Sequence, residues 1–190
     1  MSSIWGERLR ISIFGGSHTA AIGVTMDGLP AGGAIDMEQV QQQLRRRAPG
    51  QDPAATMRKE TDVPQILCGL SDAGVLSGDP LTGVIYNTSH RSSDYQGLDI
   101  MPRPGHADFT AHVKYKGHND IRGGGHFSGR LTAPLVFAGA VCRQLLRGKG
   151  IEIGAHAAAI GGVQAPLFDM AKVDPQELAE LNQRYFPVRS

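Results

Sequence analysis

The sequence predicts a chain in which strands and helices interleave, of the α/β or α+β class. Apolar residues alternate with polar ones over 9–13, which is typical of a half-buried strand, and Gly15-Gly16 ends that strand. Two later segments carry apolar residues at helical spacing, one after Asp36 and one after Ser128. Because the two kinds of signal alternate along the chain, we expect a mixed fold. The length allows one domain or two small ones, and our prediction is a single domain covering residues 1–190.

Short apolar runs bounded by turn residues predict the remaining strands. These strands are expected at 23–27, 64–69, 81–87 and 151–160. The polar stretch 51–62 and the segment leading to Pro104 are predicted to be loops.

Three helices are predicted from their ends as well as from their apolar faces. Asp36 is a typical N-cap with Gln39 as its capping-box partner, and Pro49-Gly50 ends that helix. A second helix begins near residues 129–131, because only such a start leaves Pro134 in the first turn. Asp174-Pro175 has the N-cap and N1-proline pattern of a third helix.

Composition excludes several function classes. The 190 residues are 41% hydrophobic and 19% charged, with a net charge of +1, which argues against a surface built for nucleic acid. The first ten residues lack a secretory signal, and no apolar run approaches the roughly 20 residues of a membrane span. Cys68 and Cys142 lie among apolar residues, so we expect buried, reduced thiols in a cytoplasmic protein.

The segment 101–130 is the richest in chemistry. It holds four of the seven histidines, three arginines and a triple glycine. In the run from Arg122 to Arg130, the glycines allow backbone N–H groups to approach an anion, and the two arginines can bind a phosphate or carboxylate. The Lys-Ser/Thr pair of a Walker loop is absent from this run.

Two histidines lie on turns where a side chain can act as a general acid. His106 stands beside Asp108 after Pro104-Gly105, and His18 follows the first strand. The spacing of His106, His112 and His118 fits neither helical nor strand periodicity, so no metal site is predicted. The basic run 45–47 is a solvated helix end or a second anion contact.

Seven ordered motifs resemble those of the chorismate synthase family over essentially the whole chain. They are F-G-G-S-H at 14–18, D-G-L-P-A-G at 27–32, R-R-R-A-P-G at 45–50, R-K-E at 58–60, N-T-S-H-R-S-S-D-Y at 87–95, R-P-G-H-A-D-F-T at 103–110 and R-G-G-G-H-F-S-G-R at 122–130.

The resemblance implies an α+β fold, a β-α-β sandwich with helices packed between two antiparallel sheets. It implies a lyase that converts 5-enolpyruvylshikimate 3-phosphate to chorismate and phosphate by 1,4-anti elimination. Reduced FMN is the implied cofactor, NADP an associated nucleotide and a homotetramer the implied assembly, without nucleic-acid or membrane partners.

The resemblance also implies roles for individual residues. His18 would protonate the leaving phosphate, and His106 would protonate or stabilise the reduced flavin. The implied substrate-binding residues are Arg47 and Arg130, with Arg46 and Arg58 as further candidates. The implied flavin-contacting residues are Gly124, Gly125, His126, Phe127 and Ser128.

The chain departs from the usual family motifs at several positions. Gly16 stands where the family usually has glutamate, and Thr19 where it has glycine. His126 and Phe127 replace an arginine and a serine, and Leu131 replaces a glutamate, which is typical of a variant branch. Family members are longer, and the resemblance ends near their middle, so we expect a chain that corresponds to an N-terminal half.

Two other functions compete with the lyase. A catalytically inactive module that binds anions or flavin would keep the loops without the chemistry. A nucleic-acid-binding protein would use the arginines of 45–47 and 122–130, but the stacking aromatics expected beside them are missing.

Overall fold

A computed structural model describes residues 3–49, 61–88, 97, 100–169 and 171–189. They fall into two compact units, Met1–Ala140 and Val141–Ser190. The expectation of a single domain stays a prediction. No helix in these ranges is both long and apolar enough to cross a membrane.

The first unit is built on one antiparallel sheet. Its strands are β1 (Ile4–Trp5), β2 (Arg10–Gly15), β3 (Ala21–Asp27), β4 (Gln65–Cys68) and β5 (Leu81–Tyr86), in the spatial order β1-β2-β3-β5-β4. Every pairing in this sheet is antiparallel. Helices combined with an antiparallel sheet confirm the α+β class, and the strands expected near 9–13, 23–27, 64–69 and 81–87 are confirmed.

The core of this unit lies on β3 and β5. Ile22, Val24 and Met26, which share one face of β3, are fully or almost fully buried. On β5, Gly83 leaves room for the ring of Phe137, which would lie 2.9 Å from a Cβ at that position. The helix carrying Phe137 therefore packs directly on the sheet.

Within the described ranges, four α-helices accompany the strands. They are α1 (Met37–Arg47), α2 (Asp108–Tyr115), α3 (Thr132–Arg147) and α4 (Pro175–Leu181), with two 3₁₀ segments at Arg122–Phe127 and Gly129–Leu131. The predicted N-caps are confirmed, since the Asp36 carboxylate accepts the backbone N–H groups of Glu38 and Gln39, and that of Asp174 accepts the N–H of Gln176.

Helix α2 was not predicted from the sequence. Its buried residues are Asp108 and Ala111, whereas Phe109 and Val113, four residues apart, are exposed. One such apolar pair in eight residues is too short a pattern for periodicity to identify a helix. It ends at Lys116, which adopts the left-handed conformation with φ 53°.

In the second unit, the prediction of a strand over 151–160 is wrong. Only Ala159–Ile160 forms a strand (β6), and it pairs with Val163–Gln164 (β7). Upstream, the Ile153 carbonyl accepts a hydrogen bond from the Asn182 side chain, and the Ala157 N–H donates to the Pro187 carbonyl. The backbone of this segment bonds to the end of the unit instead of to a neighbouring strand.

The two cysteines are free, as expected, but their burial was predicted wrongly. Cys68 is exposed near the edge of the sheet, and Cys142 is half-buried. Cys68 lies at the end of the edge strand β4, which explains why its apolar neighbours in the sequence do not cover it.

Candidate active site

The register of the central strands brings three parts of the chain together. Gly15 pairs with Ile22 at the end of the β2–β3 hairpin, and Ala21 pairs with Tyr86. The backbone N–H of Asn87 then donates to the Ala20 carbonyl over 3.0 Å. The hairpin loop of residues 16–20, which carries His18, therefore lies beside the residue that follows β5.

This hairpin loop lies against the glycine-rich segment. The Ser17 N–H donates to the Gly125 carbonyl over 3.2 Å, and a Cβ added to Gly16 would lie 3.2 Å from the Gly125 carbonyl carbon. Gly123, Gly124 and Gly125 have φ values of 60°, 88° and 53°. Three successive positive φ angles require glycine, so the triple glycine permits this close backbone approach.

His18 is buried where the two loops meet, with 6% of the residue exposed. Its Nδ1 lies 3.0 Å from the Ser17 hydroxyl oxygen. Its ring packs on Gly123, where an added Cβ would come within 2.6 Å of the Ser17 hydroxyl and closer still to the imidazole. Both loops thus fix the position of this proton-donor candidate.

A buried carboxylate lies between two of the predicted anion-binding arginines. The Asp62 side chain is fully buried, and it pairs with Arg130, whose side chain is 4% exposed. Arg47 Nη2 lies 3.3 Å from the other carboxylate oxygen, and Arg47 Nη1 donates to the Thr132 hydroxyl over 3.0 Å. Two guanidinium groups around one carboxylate leave one net positive charge in this cluster.

Asn87 connects this arginine cluster to the His18 loop. Its side-chain N–H groups donate to the carbonyls of Gly16 (3.0 Å) and Thr19 (2.7 Å), which flank Ser17 and His18. Its carbonyl oxygen accepts the Arg130 Nε–H over 3.1 Å. A continuous hydrogen-bonded path therefore runs from the histidine loop to the arginines.

A cavity of about 240 Å³ opens beside the hairpin loop. It is lined by Gly15, Gly16, Thr19, Tyr115, His118, Asn119, Asp120, Gly125, His126 and Phe127. Three of the predicted flavin-contacting residues are in this lining. His18 and the two arginines are not.

Aromatic rings dominate one side of the cavity. Tyr115 and Phe127 lie 6.0 Å apart between centroids, and His126 meets Phe127 edge-on. His126 Nδ1 donates to the Gly15 carbonyl over 2.8 Å, which leaves Nε2, 2.5 Å from the Ser3 hydroxyl, as the acceptor of the neutral ring. The His126 ring is therefore held in one orientation.

The other two predicted flavin-contacting residues lie next to the cavity. Gly124 has room around it, since the atom nearest to an added Cβ is the Cβ of Ser128, 3.8 Å away. The Ser128 hydroxyl accepts the Arg130 N–H over 3.3 Å and so caps the second 3₁₀ segment.

Arg122, one of the two arginines flanking the glycines, is paired with a neighbouring carboxylate. Its Nε and Nη2 each donate to Asp120 over 2.8 Å. These hydrogen bonds hold the pKa of Asp120 below its usual range, with a smaller contribution from the charge of His18, and they raise the pKa of Arg122. Asp120 therefore places negative charge beside the histidine loop.

The remaining predicted residues stand apart from these contacts. His106 is exposed on the turn before α2. Arg46 donates to Gln43 on its own helix over 2.7 Å. Arg58 lies outside the described residues. Among the described residues, no group of three or more His, Cys, Asp or Glu side chains is placed to hold a metal ion.

The turn that carries His106 is closed by an ion pair. Arg103 donates through its backbone N–H (3.0 Å), Nε (2.8 Å) and Nη2 (3.0 Å) to the buried Asp108 carboxylate. The hydrogen bond from the Arg103 side chain is the main cause that lowers the pKa of Asp108 from 3.8. The carboxylate predicted to orient His106 is thus bonded to Arg103.

This pair gives a pH-dependent stability. A lowered pKa in the folded state means that the contribution is complete above pH 3.8 and is lost as the pH falls through the lowered pKa. Asp108→Asn should lower the free energy of unfolding at pH 7 by about 1–2 kcal/mol, because hydrogen bonds to a charged group are lost. Urea unfolding of the parent protein and of Asp108→Asn at pH 7 and near pH 3 measures this loss of stability. An equal loss at the two pH values would contradict the prediction.

Sequence reasoning missed several residues of this site. Asp62 follows no recognisable pattern, because its importance depends on contacts with Arg47 and Arg130, which are distant in the chain. Asn119 lines the cavity but lies between two of the quoted motifs. Asn87 stands in one of the motifs that carry the family resemblance, and its position as the last residue of the strand predicted over 81–87 was the available signal.

Comparisons with known proteins identify the family of the chain. The family model for chorismate synthase matches residues 9–186. Chorismate synthase of Lancefieldella parvula is 44% identical over 170 residues, which are 90% of this chain and 44% of that protein. Chorismate synthase of Thermococcus kodakarensis is 43% identical over 182 residues, 96% of this chain and 49% of that protein.

A solved structure described as a crystal structure of chorismate synthase is also similar. It superposes with a TM-score of 0.65 at 25% sequence identity, covering 96% of this chain and 49% of that one. The chain therefore spans about half the length of the relatives it matches. By the extent of the family match and by these identities, the chain belongs to the chorismate synthase family.

Proposed function

We propose that the chain takes part in a lyase reaction, the conversion of 5-enolpyruvylshikimate 3-phosphate to chorismate and phosphate by 1,4-anti elimination. One observation carries the proposal beyond family membership. A buried histidine is linked through the amide of Asn87 to two arginines, so that a proton donor and anion-binding groups have a fixed relation.

The reaction requires both kinds of group. The carbon–oxygen bond to phosphate breaks and a ring hydrogen leaves, so that negative charge develops on the departing phosphate. Arg47 and Arg130 bind such an anion best when their guanidinium groups are already fixed, as Asp62 fixes them. Protonation of a phosphate oxygen by His18 would further stabilise the leaving group.

The cavity beside the hairpin loop suits part of a flavin. Its aromatic lining and glycine backbone can contact a planar ring, and Asn119 Oδ1 is buried there without a hydrogen-bond partner among the described residues. A ring N–H would satisfy that acceptor. At about 240 Å³ the cavity is smaller than the 300–1,000 Å³ typical of complete ligand sites, so it fits the ring portion.

Bound reduced FMN would supply electron density that assists phosphate departure, with no net redox change. In this proposal Phe127, His126 and Asn119 would hold the ring, together with Gly124, Gly125 and Ser128. The orientation of His126 is set by its hydrogen bond to the Gly15 carbonyl. His106 is proposed to protonate or stabilise the reduced ring, and Arg46 and Arg58 to assist substrate binding.

Substitution of His18 tests the proton-donor role. His18→Asn should lower the rate of phosphate release by about 10²–10⁴-fold, the usual contribution of a general acid, with little effect on flavin affinity. The matched control is His112→Asn, an exposed histidine of α2, which should leave the rate unchanged. Equal rates for His18→Asn and the parent protein would contradict this role.

The same experiment addresses the inactive-module alternative. Flavin binding without turnover in the parent protein would support it. The homotetramer, the NADP association and the cytoplasmic location remain predictions.

A further inference from the structure

We propose that Asn87 is a positioning residue that keeps His18 in a fixed place relative to the Arg130–Asp62–Arg47 cluster. An anion held by the arginines would then present an oxygen to the histidine. The inference rests on the proposed function and names a residue that neither binds the substrate nor transfers a proton.

Asn87 lies at the end of a central strand of the sheet. It directly follows β5, and its backbone N–H bonds to Ala20 at the end of the hairpin loop. Only 9% of the residue is exposed. Its backbone is therefore anchored at the end of the central strands of the sheet, and the residue is buried there.

The hydrogen-bonding partners of the Asn87 side chain require a primary amide. The carbonyls of Gly16 and Thr19 can only accept hydrogen bonds, and the Arg130 Nε–H can only donate. A residue at this position must donate twice on one side and accept on the other. A primary amide does so in a single orientation, whereas a carboxylate would face two carbonyls without a donor.

The hydrogen bonds of Asn87 hold two parts of the site, the histidine loop and the arginine cluster. The two carbonyls flank the Ser17-His18 dipeptide, so the amide fixes both ends of the short segment that carries the imidazole. On the other side, Arg130 is the direct partner of Asp62, which also pairs with Arg47. Asn87 therefore contacts the histidine loop and the arginine cluster at the same time.

Proton transfer from His18 to a bound anion depends on the distance between the two groups. Proton transfer needs heavy atoms about 2.6–3.2 Å apart, and a displacement of 1 Å can lower the rate by about 10²-fold. A link through one side chain keeps the offset between donor and anion constant. Loss of the link should disturb that offset while the histidine and both arginines remain present.

The experiment uses Asn87→Ser and Asn87→Asp in the full chain, with Asn182→Ser as the matched control. Asn182 is similarly buried, at 7% exposure, and its amide also donates to a backbone carbonyl, that of Ile153, but it belongs to the second unit. Thermal unfolding identifies the folded variants. The probe is inorganic phosphate, and the readout is the His18 imidazole signal in ¹H–¹⁵N spectra, assigned with His18→Gln.

We expect phosphate to shift the His18 signal in the parent protein and in Asn182→Ser. In both Asn87 variants the shift should be lost. In Asn87→Ser, phosphate should still bind with an affinity within about tenfold of the parent protein, because the arginines remain. Phosphate release from the substrate should fall by about 10²-fold in the Asn87 variants.

Arg130→Lys tests the link from its other end. Lysine keeps the positive charge but lacks the Nε–H that Asn87 accepts. It should also abolish the phosphate-dependent shift of His18, and it serves if the Asn87 variants do not fold.

Two results would overturn the inference: an unchanged His18 shift in a folded Asn87 variant, or no shift in the parent protein. A different result would refute the proposed reaction alone. If phosphate shifts the His18 signal in the parent but not in the Asn87 variants, and no variant or parent releases phosphate from the substrate, the positioning role stands and the lyase does not.

Discussion

Gly123→Ala should abolish most of the activity, lowering the rate of phosphate release by about 10²-fold or more. The added methyl group would occupy the space of the His18 ring and approach the Ser17 hydroxyl to 2.6 Å. Because the glycine loop is fixed to the hairpin loop by the bond from Ser17 to Gly125, the imidazole must move. The rate and the His18 imidazole signal are the two measurements.

The control for Gly123→Ala has to carry the same backbone strain. Gly161 has φ 59°, against 60° for Gly123, and nothing lies within 4 Å of an added Cβ there. Each alanine should cost about 1–2 kcal/mol from the left-handed conformation alone. Gly161→Ala should therefore lose similar backbone stability and keep its rate. A Gly123→Ala protein with the parent rate would show that His18 is not confined as described.

Asp62→Asn should produce the largest loss of stability among these variants, about 3–5 kcal/mol in the free energy of unfolding. The substitution removes the carboxylate charge between the buried guanidinium group of Arg130 and the half-buried one of Arg47. Asn tolerates the left-handed conformation about as well as Asp, which matters because Asp62 has φ 48°. The loss of stability in Asp62→Asn therefore comes from the lost charge and not from backbone strain.

Glu38→Gln provides the comparison for Asp62→Asn. It removes the carboxylate of an exposed ion pair with Arg45, whose side chains are 73% and 58% exposed, and it should leave Tm almost unchanged. Denaturant unfolding measures both variants. Added phosphate should restore part of the stability lost in Asp62→Asn, since an anion that binds the folded state stabilises it. A loss below about 1 kcal/mol for Asp62→Asn would contradict the importance of the pair.

Local patterns in the sequence predicted much of the fold. The Asp36 cap and the alternation over 9–13 depend on neighbouring residues, and both were confirmed. Helix α2 has eight residues and one apolar pair at helical spacing, Phe109 and Val113, which is too short a pattern for periodicity to identify. The apolar run 151–160 resembled a strand, but which segments bond to its backbone is decided by the C-terminal part of the second unit.

The candidate site was predictable only in part for the same reason. His18, Gly125 and Arg130 stand in motifs, and the structure gives each a defined place in the contacts described above. Their partners are distant in the chain, since Arg130 bonds to Asp62 and to Asn87. Such long-range pairs leave no trace in the order of residues, so only the folded chain identifies them.

The most direct test of the proposed lyase is anaerobic incubation of the chain with 5-enolpyruvylshikimate 3-phosphate and chemically reduced FMN. We expect phosphate and chorismate to appear in equal amounts, with no net consumption of the reduced flavin. A folded chain that binds reduced FMN and releases neither product would contradict the proposal.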